Sequence, residues 1–439
     1  MWRKRLQLGL IHTAVAITLV PFTSTLNRVM IYEMGIAATI VTLLVAIPYL
    51  FSPIQVMIGS YADRNPILGF RRTPYITLGL LLCVGGVLLA PYAVAHLSQS
   101  GWTIPIILLS VAAFGAWGMG YNFASVSYLS LASEIDAKER GLTIAVMFFM
   151  MIIGIIITAV GVSRVVETYS LATLTRAFQG VGITALVLGV VGLIGLESRS
   201  AQTPGRDERY SWMELGHVVL GQPQSRLFFV YLVVLLAALL GQDVLLEPFG
   251  AQAFGLSVEA TTRITSIWGT CMLVALLAAG WLQRRFTKRI VAGVGAWVAL
   301  IAFLGIGISG LITNTSLFYA GVVALGVGTG LSTVANLSLM LDMTTVENVG
   351  LFIGAWGMAN AISRLIGQLM SGVVRDIFSV LVSSQALGYV VVFGIEAAFL
   401  ALSLVMLRAV NVAAFQEQAT SERRDLLEQA VLMSDALGN

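Results

Sequence analysis

About twenty consecutive apolar residues are needed to carry a helix across a bilayer, and this chain supplies such runs one after another, with charge confined to the breaks between them. Only 11% of its 439 residues are charged, against about 25% in an ordinary soluble protein, and its mean hydropathy is +0.90. That pattern excludes a globular domain with a single anchor and predicts an all-α polytopic membrane protein. Twelve helices are expected, at 6–28, 35–59, 74–97, 103–132, 139–162, 174–196, 226–250, 258–283, 289–310, 316–341, 347–374 and 385–410. The apolar run behind Arg3, Lys4 and Arg5 has no clear small-residue cleavage site and more spans follow, so it reads as an uncleaved first helix.

The charges orient the spans. With both termini cytoplasmic, nineteen of the 25 lysines and arginines fall inside, five (Arg28, Arg164, Arg176, Arg263 and Arg375) fall outside, and Arg364 lies within a helix. An inside excess of this size is the expected bias of cytoplasmic loops. The net charge of +3 is spread over short loops, which leaves no nucleic-acid footprint. Cys83 and Cys271 both sit in apolar runs and read as small buried hydrophobes without a disulfide. No metal-ligand cluster, phosphate-binding loop or nucleophile elbow is present, so neither a metal site nor a catalytic residue is expected, and the chain is not read as an enzyme.

Four units are expected: an N-terminal six-helix half (1–196), a polar cytoplasmic link (197–225), a C-terminal six-helix half (226–410) and a cytoplasmic tail (411–439). The halves repeat weakly. Leu129-Ser130-Leu131 matches Leu337-Ser338-Leu339, and Gly118-x-Gly120 is set against Gly328-x-Gly330. The tail reads as a short amphipathic helix over Glu422–Leu432 or as a frayed end.

Between the second and third runs stand Gly59, Asp63 and Arg64, then Gly69, Arg71 and Arg72. The spacing G-x-x-A-D-R followed by G-x-R-R resembles the signature loop of the major facilitator superfamily. Its glycines let two helix ends approach, and Asp63 can pair with an arginine or cap a helix.

Ionisable groups inside spans mark functional candidates. Helix 7 carries Gln242, Asp243 and Glu247. With Asp243 and Glu247 four residues apart, both carboxylates are expected on one face, as a proton-sharing or ligand site or else at the wet outer mouth of the helix. Arg364 and Glu396 are expected to pair with each other. Asn27 and Arg28 bracket the outer end of helix 1 with Glu33, and Arg28 reads as a snorkelling side chain. Asn122, Ser125 and Ser127 read as helix-packing residues. Of the three histidines, His12, His96 and His217, His12 lies in the cytoplasmic third of helix 1, and a neutral imidazole suits the axial position of a magnesium tetrapyrrole.

Three strings go beyond the superfamily: Thr23 to Met30, Phe70 to Ile76, and Gln242-Asp243-Val244-Leu245-Leu246-Glu247-Pro248-Phe249-Gly250. Together they resemble the PucC and LhaA proteins, the bacteriochlorophyll-delivery branch of the superfamily. The resemblance implies a factor of photosynthetic membranes. Such a factor binds or delivers (bacterio)chlorophyll as a weak or transient cofactor and docks light-harvesting antenna polypeptides or a reaction-centre complex among membrane lipids. A proton-coupled transporter of a small solute, with Asp243, Glu247 and Glu396 as proton carriers, is the alternative reading.

Overall fold

In lipid no water is available to satisfy a backbone amide, so each apolar run closes its hydrogen bonds within itself as a helix. The computed structural model describes residues 1–51, 61–62, 65–101, 103–135, 140–199, 221–343, 349–382 and 384–411. Among the described residues the regular elements are all helices, with one isolated bridge between Ile67 and Phe70. In order, α1 spans Trp2–Glu33, α2 Ala38–Leu50, α3 Thr73–Ser100, α4 Ile104–Ile135, α5 Arg140–Val165 and α6 Leu171–Leu193. These are followed by α7 Pro223–Gly241, α8 Leu246–Phe254, α9 Val258–Leu282, α10 Lys288–Leu311, α11 Thr315–Asp342, α12 Val349–Leu381 and α13 Gln385–Ala409. Among the described residues ten helices are long and apolar enough to cross a membrane, so this is a multi-pass membrane protein. Ala38–Leu50 is a shorter apolar helix, and α12 carries a polar face that includes Arg364 and Gln368.

Helix starts follow local chemistry. Ser170, Ser257, Thr287, Asn314 and Ser384 each accept a bond from a backbone amide three residues on, which satisfies a donor that the helix leaves open. The helices up to residue 199 pack chiefly on one another, as do those from residue 221 on, and two seams join the groups: α2 against α12 and α5 against α9.

Glycine sets the closest packing. A methyl group on Gly120 would lie 2.5 Å from the Cys83 amide nitrogen and from the Gly79 carbonyl oxygen of α3. On Gly328 it would lie 2.6 Å from the Ala299 nitrogen and 2.8 Å from the Gly295 oxygen of α10. Gly118 meets Pro48 of α2 in the same way, and Gly326 meets Trp268 of α9. The structural repeat therefore pairs Gly118 and Gly120 with Gly326 and Gly328. The expected pairing with Gly328 and Gly330 is two residues out of register, because the chain repeats GxG twice in a row from Gly326. The corrected offset agrees with that of the Leu-Ser-Leu match.

Two helices are irregular. In α1 the stretches Pro21–Thr25 and Val29–Glu33 are wound as π-helix, a form frequent at functional sites. The expected helix 226–250 is broken: α7 ends at Gly241, Gln242–Val244 makes one 3-10 turn, and α8 restarts at Leu246. The turn sits where α7 and α12 touch backbone to backbone, a methyl on Gly367 being only 2.3 Å from the Ala237 oxygen.

Candidate functional site

The widened turns of α1 and the break after α7 face each other. Ser24 and Arg28, four apart on α1, both turn toward α8 and its following loop. The Ser24 hydroxyl donates to Glu247 Oε1, and Thr265 of α9 donates to the same oxygen at 2.6 Å. Thr25 and Thr262 meet one turn away, their hydroxyls 3.3 Å apart. Arg28 pairs with Glu33, donates to the Leu256 carbonyl at 3.1 Å and lies 4.8 Å from the Tyr32 ring centre. Glu247 is thus a clamp between the two groups of helices, held by one hydroxyl from each. It is 4% exposed and its Oε2 has no partner.

The neighbouring carboxylate points elsewhere. Asp243 accepts from Arg364 of α12 at 2.7 Å and from the Gln242 amide at 2.8 Å, and the guanidinium lies 5.6 Å from the ring centre of Tyr49 in α2. Asn27 donates to the Thr23 carbonyl, across the π turn.

Several expectations are corrected here. Asp243 and Glu247 do not share a helical face, because the 3-10 turn and the new start at Leu246 break the 3.6-residue repeat between them. Glu247 does not sit at a wet mouth, being 4% exposed, whereas Asp243 keeps 16% of its side chain exposed. Arg364 pairs with Asp243 rather than Glu396, because the Gly241–Gly367 approach brings the end of α7 within its reach. Glu396 instead takes a bond from Ser371. Arg28 does not snorkel, since Glu33 and the Leu256 carbonyl satisfy it in the interior, where it is 2% exposed.

This geometry can be set beside known proteins. The family model of the PUCC protein matches residues 25–415. The chain belongs to the PucC family. Protein PucC of Cereibacter sphaeroides is 30% identical over 92% of this chain and 91% of that protein. A protein of the puhA-bchM intergenic region of Rhodobacter capsulatus is 31% identical over 92% and 88%. The solved nucleoside transporter NupG superposes with a TM-score of 0.73 over 93% of this chain and 99% of that one, at 13% identity, which shows a fold shared with major facilitator transporters.

In this PucC family chain the family-like helix 7 string is the break itself, with Asp243 and Glu247 on either side of it. His12 is buried between Tyr128 and Phe148, at ring distances of 5.1 and 4.9 Å, and its Nδ1 has no partner. The Tyr128 ring is tilted by 35° and the Phe148 ring stands edge-on at 88°, so the contacts are with the ring and not with its nitrogens. His96 is exposed and His217 lies outside the described residues. Cys83 and Cys271 are free thiols. Asn122, Ser125 and Ser127 are buried, and Asn122 donates to the Pro48 carbonyl at 3.0 Å.

Of the signature loop, Gly59, Asp63 and Arg64 lie outside the described residues. Gly69 takes a φ of +80°, open to glycine at little cost. The amides of Arg71, Arg72 and Thr73 and the Thr73 hydroxyl all donate to the Glu197 carboxylate, at 2.7 to 3.2 Å. Burial would raise the Glu197 carboxyl, but these bonds outweigh it and hold it below the usual range. Sequence reasoning missed Glu197, placing it only at the start of a polar link. It also missed Asp376 of α12, which accepts from the amides of Ala38 and Thr39 at 3.1 and 2.7 Å and so caps α2 across the seam. No sequence spacing links positions 338 residues apart.

Proposed function

We propose that this chain is an assembly factor for photosynthetic antenna complexes, with twelve spans in two six-helix halves (1–196 and 226–410), a link at 197–225, a tail from 411 and both termini in the cytoplasm. It works in the inner or intracytoplasmic photosynthetic membrane of a phototrophic bacterium. There it holds or hands over (bacterio)chlorophyll and docks antenna helices or a reaction-centre complex sideways in the bilayer. It carries out no covalent chemistry on a substrate. The observation that carries this reading is PucC family membership over residues 25–415, with the family-like string at Gln242–Gly250 forming the contact between the two helix groups. Pigment is held in a lipid-facing groove or between helices, with His12, whose Nδ1 has no partner, as the candidate ligand.

The test is affinity purification in mild detergent from a phototrophic host. Chlorophyll absorption and antenna or reaction-centre subunits in the eluate are expected, together with loss of antenna complexes on deletion of the gene. A colourless, partnerless protein whose deletion leaves antenna levels unchanged would overturn the proposal and leave a small-solute transporter.

A further inference from the structure

A second set of buried polar groups lies between α7, α12 and α13 and takes no part in the Glu247 clamp. Glu396 of α13 is fully buried in mid-span. One of its oxygens accepts from the Ser371 hydroxyl at 3.1 Å and the other has no partner. Gln368 of α12 lies between Arg364 and Ser371 on the same helical face. It too is fully buried, and neither its amide nitrogen nor its oxygen finds a partner. Gln242 gives its nitrogen to Asp243, which leaves its buried oxygen unpartnered. These groups are neighbours: a methyl on Gly241 would sit 2.9 Å from Glu396 Oε1 and 3.1 Å from Ser371 Oγ. Asp243 and Arg364, next along, are 16% and 29% exposed and so reach accessible space.

An ionised carboxylate without a cation is very costly in this setting, and the cations nearby are committed. Arg364 serves Asp243, and Arg375 serves Asp376 and Gln252. From α10 no titratable side chain between Val291 and Leu311 faces the site. Glu247 of α8 is held by Ser24 and Thr265, and Tyr389 of α13 by Gln252. Asp243, two residues beyond the Gly241 that touches Glu396, is itself a carboxylate. The fixed guanidinium of Arg364 also argues against a metal cation there. Buried amides without protein partners are the usual seats of internal water.

We infer that Glu396, Gln368, Ser371 and Gln242 form a proton-binding site, in which Glu396 carries the proton and internal waters along Gln368 and Gln242 exchange it with the space that Asp243 and Arg364 reach. The step is a proton transfer: an O–H bond of a hydronium ion at the end of the water chain breaks as an O–H bond forms on the carboxylate, and neutral water is left behind. The site gives the chain a protonation equilibrium within the helices that also carry the Asp243–Arg364 pair.

Infrared spectroscopy of the intact protein in lipid nanodiscs tests this. At neutral pH a C=O stretch of a protonated carboxyl is expected, shifting down in D2O. It should vanish in Glu396→Gln, which keeps the shape of the neutral acid, and should shift in Ser371→Ala. Gln368→Leu should slow its exchange into D2O. A wild-type spectrum without the band, or one unchanged in Glu396→Gln, would overturn the inference. So would loss of the band when potassium salt is replaced by sodium at constant pH, since that would assign the site to an alkali cation.

Discussion

Glu197 is the residue whose role depends least on its neighbours in sequence. Its carboxylate gathers three amides and a hydroxyl at the start of α3, where the helix dipole favours negative charge. Glu197→Gln is expected to lower thermal stability by about 1 kcal/mol at neutral pH. Because the folded carboxyl lies below its ordinary value, that stability is present above the unfolded value and lost as pH falls through the folded one. Melting curves of wild type and variant should therefore converge under acid. A difference that persists there would mean that the charge is not what Glu197 contributes. Arg364 and Asp243 make the other residue-scale case. Removing either partner leaves a mostly buried charge alone, so Asp243→Asn and Arg364→Gln should each destabilise more than the two together. Additive losses in a double-mutant cycle would show that the pair is not coupled. The types of these residues marked them as candidates. Which acid Arg364 meets was not legible, because pairing depends on where α7 ends and not on the sequence around either residue.

At the scale of the element, the long apolar helices were legible, since apolar length and polarity breaks are local signals. The break after Gly241 was not. Gln242 to Gly250 reads as a continuing helix, but Pro248 offers no amide to the Val244 carbonyl and crowds it, and the close contact of α7 with α12 lies beside the turn. The glycine register was legible in type but misplaced by two residues, since a run of alternating glycines matches itself at either setting. The corrected register has a consequence. Gly120→Ala is expected to cost about 1–3 kcal/mol, because the new methyl meets backbone atoms of α3 that cannot step aside. Gly161→Ala on α5, where nothing lies within 4 Å of the added carbon, should be neutral. Equal melting temperatures for the two variants would refute the packing assignment.

For the whole molecule, the seams between the two helix groups decide what can move. Asp376 caps α2 across one seam, and Arg28, Ser24 and Thr25 tie α1 to the Leu256 carbonyl, Glu247 and Thr262 across the interior. Capping bonds and a backbone contact join only while the groups are close, so they act as a latch on one conformation. Asp376→Ala should therefore open the α2–α12 seam. With Cys83 and Cys271 replaced, a cysteine at the fully buried Thr42 should react with a maleimide faster in Asp376→Ala than in its parent. Equal rates would mean that the seam is held without this cap. By itself the sequence determined the membrane, the helical class and the family, because apolar length, charge placement and short strings are properties of contiguous residues. The partners of Glu247, Arg364, Glu396 and Asp376 were decided only by the tertiary structure, because each depends on helices brought together by contacts that no local pattern encodes.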